Sequence, residues 1–172
     1  MKASVRRAVA EDAAALALVG AATFLDTFAG ILTGADIVAH CAANNAAEKF
    51  AAWIADPASV VAIAEAGDGR APIGYTVLTP PDLPIEIGSA DIELKRIYAL
   101  SRMHGSGLGA QLMERALADA AALGKERVLL GVYGDNARAR AFYERQGFTL
   151  AGTRRFRVGE TLHDDVVYAR VI

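Results

Sequence analysis

The run His104-Gly105-Ser106-Gly107-Leu108-Gly109-Ala110 has the residue types and spacing to hold a phosphate. Glycines directly ahead of a helix leave its first-turn N–H groups uncovered, and the positive end of the helix dipole adds to their pull on an anion. A helix is expected behind them. Gly109, Met113, Ala116, Leu117 and Ala120 recur at helical spacing, Gln111, Glu114, Arg115 and Asp119 fill the opposite face, and Gly124 stands at the expected C-cap. Ahead of the loop, Ile92–Leu100 reads as a strand. Its charged residues are Glu93, Lys95 and Arg96, and its far end, Ile97-Tyr98-Ala99, is apolar.

Two familiar phosphate loops fit less well. A nucleotide-triphosphate loop needs Gly-Lys-Ser/Thr ahead of the helix, and the chain has none. A dinucleotide fingerprint is formally matched by Gly105, Gly107 and Ala110. That motif, however, follows an apolar strand through a tight turn and expects an acid about 20 residues on. Here the strand is charged, Ser101-Arg102-Met103-His104 intervene, and Val128-Leu129-Leu130 stands where the acid should be.

A second constellation lies downstream: Asn136-x-x-Ala139-x-x-Phe142-Tyr143-Glu144-x-x-Gly147-Phe148. Together with the glycine loop it resembles the GNAT superfamily of N-acetyltransferases, whose loop reads Arg/Gln-x-x-Gly-x-Gly/Ala. His104, Gly107 and Gly109 occupy those places, the histidine being a departure that leaves a neutral imidazole with one hydrogen bond to donate. The likeness covers nearly the whole chain. Phe24-Leu25-Asp26-Thr27-Phe28, Glu93–Tyr98, Leu130-Gly131-Val132-Tyr133 and the closing hairpin resemble the PaiA-type polyamine acetyltransferases in particular.

The resemblance implies acetyl-CoA as cosubstrate and a small-molecule amine, spermidine or spermine leading, as acceptor. It implies pyrophosphate binding by His104, Gly105, Ser106, Gly107, Leu108, Gly109 and Ala110. The pantetheine arm is expected against a splay at Ile97, Tyr98 and Ala99, beside Asn136 and Tyr143. Arg138 and Arg145, seven apart on one helix side, are expected towards the phosphates. Tyr143 is expected to protonate the leaving sulfur and Glu93 to take the acceptor's proton. Each residue also has a plainer reading: Tyr143 as a buried ring with its hydroxyl at the rim, Asn136 as an N-cap, Glu93 as an exposed strand acid beside a basic neighbour. Acetylation of a protein N-terminus or an antibiotic amine, and an acyl-CoA sensor without turnover, share the same motifs.

The elements that must position these residues follow from the rest of the chain. Its 172 residues suit one domain spanning 1–172. The net charge of −2 gives no electrostatic case for nucleic acid. A single cysteine, Cys41, excludes an intrachain disulfide, fits a reducing cytoplasm and argues against a cysteine-based metal site, while His40, His104 and His163 are too scattered to imply a metal. Ala13–Leu25 is apolar, but Glu11-Asp12 ahead of it suits a helix start rather than a signal peptide, and the run is too short to span a bilayer, so no membrane partner is expected. A homodimer is compatible with the sequence and not required by it.

In order, the sequence predicts a strand over Ser4–Val9 and a helix over Glu11–Phe28. A second helical region over Thr33–Ala55 is divided at Asn44-Asn45. Strands follow over Ser59–Glu65 and Ile73–Thr79, then the central strand, the glycine loop and its helix. A buried strand over Arg127–Tyr133, a short helix over Asn136–Gln146 and a hairpin of Thr149–Val158 with Thr161–Val171 complete the chain. The expected fold class is α/β: a mixed sheet of about seven strands with helices on both faces. Asp26, Glu86, Asp91 and Glu93 are expected as a negative rim for a polycation, with Thr27 and Phe28 lining the same cleft.

Overall fold

A computed structural model describes residues 2–172, the side chain of Phe156 excepted. Seven strands form one sheet: β1 (Ala3–Arg7), β2 (Val60–Ala66), β3 (Ala71–Thr79), β4 (Asp91–Ala99), β5 (Arg127–Tyr133), β6 (Thr149–Val158) and β7 (Thr161–Val171). The helices are α1 (Ala13–Phe28), α2 (Gly34–Asn44), α3 (Ala47–Ala55), α4 (Leu108–Ala122) and α5 (Ala137–Arg145), with short 3₁₀ turns at Ala10–Asp12 and Ser101–Met103. The spatial order is β1-β2-β3-β4-β5-β7-β6. Only β4 and β5 run parallel, joined through α4, and β7 inserts between β5 and β6. The expected α/β single-sheet architecture is thus the observed one.

Helices cover both faces. Under α4 and α5 lie Ile92, Leu94, Met113, Val128, Leu130, Tyr143 and Phe148; under α1 and α3 lie Leu16, Val19, Phe50, Ile63, Tyr75 and Val77. Alternation in the strands assigns the faces, since Leu78 and Leu94 point towards α4 while Tyr75 and Val77 point towards α1. The first strand stops two residues earlier than its sequence pattern predicts. The Asp12 carboxylate accepts the Val9 N–H at 2.8 Å and turns the chain into the 3₁₀ segment.

Two departures from a regular sheet shape its centre. Val77 pairs with Arg96 but Leu78 pairs with Leu94, so Lys95 is an extra residue in β4. Such a bulge resets the alternation. Glu93 and Arg96, three apart, therefore fall on one face, the face of α1. The second departure is a splay. β4 and β5 pair only at Asp91–Arg127, Ile92–Val128 and Glu93–Leu129, whereas β4 continues against β3 to Ala99 and β5 continues against β7 to Tyr133. Ile97, Tyr98 and Ala99 lie in the diverging arm, where the family resemblance implies the splay.

The roof over this region is α2. Asp36, at its first turn, accepts the Thr161 hydroxyl at 2.9 Å and the Glu160 N–H at 3.3 Å, which ties α2 to the β6–β7 turn. Gly159 at that turn has φ +57°, and a Cβ there would overlap the Asp36 carboxylate. No helix among the described residues is long and apolar enough to cross a membrane.

Candidate active site

The glycine loop folds as its sequence demands. Gly105 and Gly107 have φ of +81° and +87°, a region costly for residues with a Cβ, and Gly107 is the N-cap of α4. The Ser106 hydroxyl donates to the Met103 carbonyl at 2.6 Å and accepts the Leu108 N–H at 3.3 Å, so this side chain shapes the loop. Among the described residues nothing takes the N–H groups of Gly105, Gly107, Gly109 or Ala110. They are donors at the positive end of a 15-residue helix. At Gly109 a Cβ would meet the Phe142 ring at 3.4 Å, which marks how closely α5 packs against the first turn of α4.

His104 is exposed at the loop's entrance. Partial burial and then the nearby Arg138 charge lower its pKa below the ordinary histidine value, with Asp26 acting in the opposite sense. The shift favours the neutral imidazole, and a backbone hydrogen bond to Ala99 acts with Asp26 against it. Arg138 belongs to this cluster, which fits its expected place near the loop, whereas exposed Arg145 stands two turns further along α5. Asn136 is the N-cap of α5: its Oδ1 accepts the Ala139 N–H at 3.0 Å, which leaves its amide NH₂ and a second lone pair of Oδ1 to meet a ligand.

Tyr143 is 8 % exposed, its ring enclosed by Phe142, Phe148 and Tyr168 at centroid distances of 5.5, 6.1 and 6.2 Å. Burial pushes its pKa up, followed by the neighbouring Tyr98, and no group among the described residues hydrogen-bonds its hydroxyl. Glu93 is not the exposed acid of its plainer reading. It is 2 % exposed, accepts the Asp82 N–H at 2.9 Å and has the Lys95 ammonium at 3.9 Å. Burial raises its pKa above the usual carboxylate range, and that backbone N–H, with Lys95 and Arg154, holds the rise back.

Glu93 and Tyr143 thus lie on opposite faces of the sheet, at the interval where β4 and β5 part. On the Glu93 side a cavity of about 1040 Å³ opens, walled by Asp82, Lys95, Asp135, Arg154 and Asp165 among others. Arg154 crosses the face of β5 at Gly131, where a Cβ would meet its guanidinium at 2.5 Å. Phe28 faces Tyr133 edge-on at 6.5 Å, but neither ring lines the cavity, and the Thr27 hydroxyl bonds back to Thr23.

The expected acidic rim does not assemble as a ring of four. Asp91 is locked to Arg127 at 2.6 Å at the closed end of the β4–β5 pair, and the backbone carbonyl of Glu86 accepts from the same arginine. Asp26 accepts the Ser101 N–H at 2.9 Å beside the glycine loop. None of the four lines the cavity itself; Glu93 adjoins it through the N–H of Asp82, a residue of its wall. The acids that do line it, Asp82, Asp135, Asp164 and Asp165, were not singled out from sequence as binding residues. For Asp165 the signal was faint: an acid among His163, Val167 and Ala169 on one face of a strand.

The loop and the splay suit an extended, phosphate-bearing ligand with amide groups: free N–H donors for the phosphates, strand edges for the amides. Among the described residues, no group of three His, Cys, Asp or Glu side chains could hold a metal. A model of the acetyltransferase (GNAT) family matches residues 26–148. An uncharacterized N-acetyltransferase of Mycobacterium tuberculosis is 38 % identical over 159 residues, covering 92 % of this chain and 97 % of that one. Another from Lactobacillus delbrueckii subsp. lactis is 28 % identical over 151 residues, covering 87 % and 86 %. In fold, the chain is similar to the PaiA N-acetyltransferase of Thermoplasma acidophilum in complex with coenzyme A, with a TM-score of 0.82, 22 % identity and full coverage of both chains.

Proposed function

The chain belongs to the acetyltransferase (GNAT) family, and on that premise we propose that it acetylates the primary amine of a small molecule, a polyamine such as spermidine or spermine leading. It is an acetyl-CoA-dependent acyltransferase. The splayed interval between β4 and β5 carries the assignment of roles. It opens towards Tyr143 on one face and towards buried Glu93 on the other. A thioester lying there has a phenol on its sulfur side and a carboxylate on the side from which an amine approaches.

The N–H groups of Gly105, Gly107, Gly109 and Ala110 hold the pyrophosphate, with Arg138 adding charge and His104 a neutral contact. Backbone groups of Ile97, Tyr98 and Ala99 on the splayed edge pair with the pantetheine amides, beside the Asn136 side chain. A backbone N–H of that edge polarises the thioester oxygen.

An alkylamine has a pKa near ~10.4, so it arrives charged at neutral pH and must lose a proton before its nitrogen can attack. Glu93 takes that proton, directly or through water, and burial makes its carboxylate a better base than an exposed one. The C–N bond then forms and the C–S bond breaks. Two protons leave nitrogen in all; one ends on sulfur and the other in solvent. Tyr143 is the donor facing sulfur. A phenol near ~10 gives its proton to a thiolate near ~8.5 only uphill, by about 2 kcal/mol, and burial widens that gap. Its main action is therefore a hydrogen bond that stabilises the departing sulfur.

Acetyl-CoA turnover, followed by thiol release with spermidine, spermine, a monoamine and a short peptide with a free N-terminus, tests the assignment. Acetylation of the polyamines is expected. A strong peptide preference without polyamine turnover overturns the acceptor and leaves acetyl transfer standing.

A further inference from the structure

Among the described residues, two buried polar atoms have no hydrogen-bond partner: Asp165 Oδ1 and His163 Nε2. They stand two residues apart on one face of β7, the face that carries Val167 over Gly131. Asp165 is only 5 % exposed. Its other oxygen, Oδ2, has the Arg154 Nε at 3.4 Å, which leaves Oδ1 unsatisfied. A buried carboxylate oxygen left unpaired is costly. Asp165 nevertheless lines the large cavity on the Glu93 side of the sheet, so a ligand in that cavity can supply the missing donor.

The surroundings specify the donor's chemistry. Asp165 pairs across the ladder with Tyr133, whose ring meets His163 edge-on at 5.5 Å and Phe28 at 6.5 Å. An aromatic wall beside a carboxylate favours an organic cation. His163 stands beside Asp165 on the same strand face but is not among the residues that line the cavity, so the acceptor open to a ligand there is Asp165 Oδ1. The wall's acids outnumber its bases: Asp82, Asp135, Asp164 and Asp165 against Lys95, Arg154 and Arg155.

Building on the acetyltransferase reading, we infer that Asp165 forms a second acceptor subsite, which holds an ammonium other than the one being acetylated. The acceptor is then a molecule with at least two amines, one presented to Glu93 and one held on β7. Asp165 is a specificity residue: it binds the far end of the acceptor and takes no part in bond making.

The test compares 1,4-diaminobutane with n-butylamine, matched in chain length, on wild type and Asp165→Asn. Asparagine keeps the shape and still offers an oxygen to Arg154. Wild type is expected to favour the diamine in kcat/KM by tenfold to a hundredfold, on the order of one charge-assisted hydrogen bond. Asp165→Asn is expected to erase that preference through the diamine's KM, with monoamine turnover and stabilisation by CoA unchanged. Equal losses on both amines, or a preserved preference, overturn the inference. Should neither amine be acetylated, stabilisation of the CoA-saturated protein by the diamine decides. A shift in wild type that is absent in Asp165→Asn supports the subsite, and no shift refutes it. Failure of acetyl transfer to every amine sinks the wider reading separately.

Discussion

Tyr143→Phe separates a ring from its hydroxyl at a position where the two have different work. The ring packs against Phe142, Phe148 and Tyr168, and phenylalanine keeps all three contacts. The hydroxyl bonds to no described residue, so removing it breaks no hydrogen bond of the fold. Stability should change by less than about 1 kcal/mol in either direction. The effect on rate should be far larger. A hydrogen bond aimed at charge developing in the transition state, inside a dry site, contributes about 2.7–4 kcal/mol. That corresponds to a fall of about 10²–10³ in kcat. With Tyr143 at the sulfur and the phosphates at the loop, as proposed, CoA affinity should stay within about twofold. Thiol release measured in single turnover with both substrates saturating isolates the chemical step, and calorimetry gives the CoA affinity. A single-turnover rate within about threefold of wild type would refute the role and leave Tyr143 as packing.

Four further outcomes are expected. Glu93→Gln should lower kcat more than it weakens CoA binding, and the acid limb of the wild-type kcat/KM profile should lie above ~4.3, because the carboxylate is the active form and burial raises its pKa. The same raised pKa means that ionised Glu93 costs stability above it, so Glu93→Gln should raise Tm at pH 7 and lose that advantage as pH falls below the unfolded value; an unchanged Tm contradicts this. Acetyl-CoA at ~100 times its Kd should stabilise wild type by about 2.7 kcal/mol, and Gly107→Asp, which adds a carboxylate and a Cβ at φ +87°, should abolish most of that gain in a thermal-shift measurement. Arg138→Ala should weaken CoA binding about tenfold and Arg145→Ala by less than about twofold, since only Arg138 stands with His104 beside the loop; titration calorimetry distinguishes them.

The element order was legible in the sequence because each segment had one dominant signal. The glycine loop, the apolar run of β5 and the turn before β7 fell within a residue or two of their observed places. The Asn44-Asn45 break was also found, but not its second use: Asn45 Oδ1 and the Asn44 carbonyl accept from Arg96 at 2.5 and 2.8 Å. The central strand misled. The plainer reading of Glu93 is an exposed acid, yet the 82–85 loop caps it, and α3 covers Arg96, which stacks over Trp53 at 4.9 Å. Alternation cannot foresee a bulge, and the bulge at Lys95 is what places Glu93 and Arg96 on one face. The acids were similarly out of reach. Asp91 and Asp165 look alike in sequence, and only the fold gives one an arginine for both oxygens and leaves the other half unpaired.

The brief pairing of β4 with β5 has a mechanical consequence. Three rungs join a four-stranded half, β1 to β4, to a three-stranded half, β5 to β7 with β6 at its edge. The sheet is thus two panels on a short seam, with α4 as the strap between them. A cosubstrate whose amides bond to the splayed edge acts as an extra rung across the panels. Binding then does more than fill a cleft: it stiffens the seam, and it should slow amide hydrogen exchange in the apolar end of β4 and the far end of β5 together.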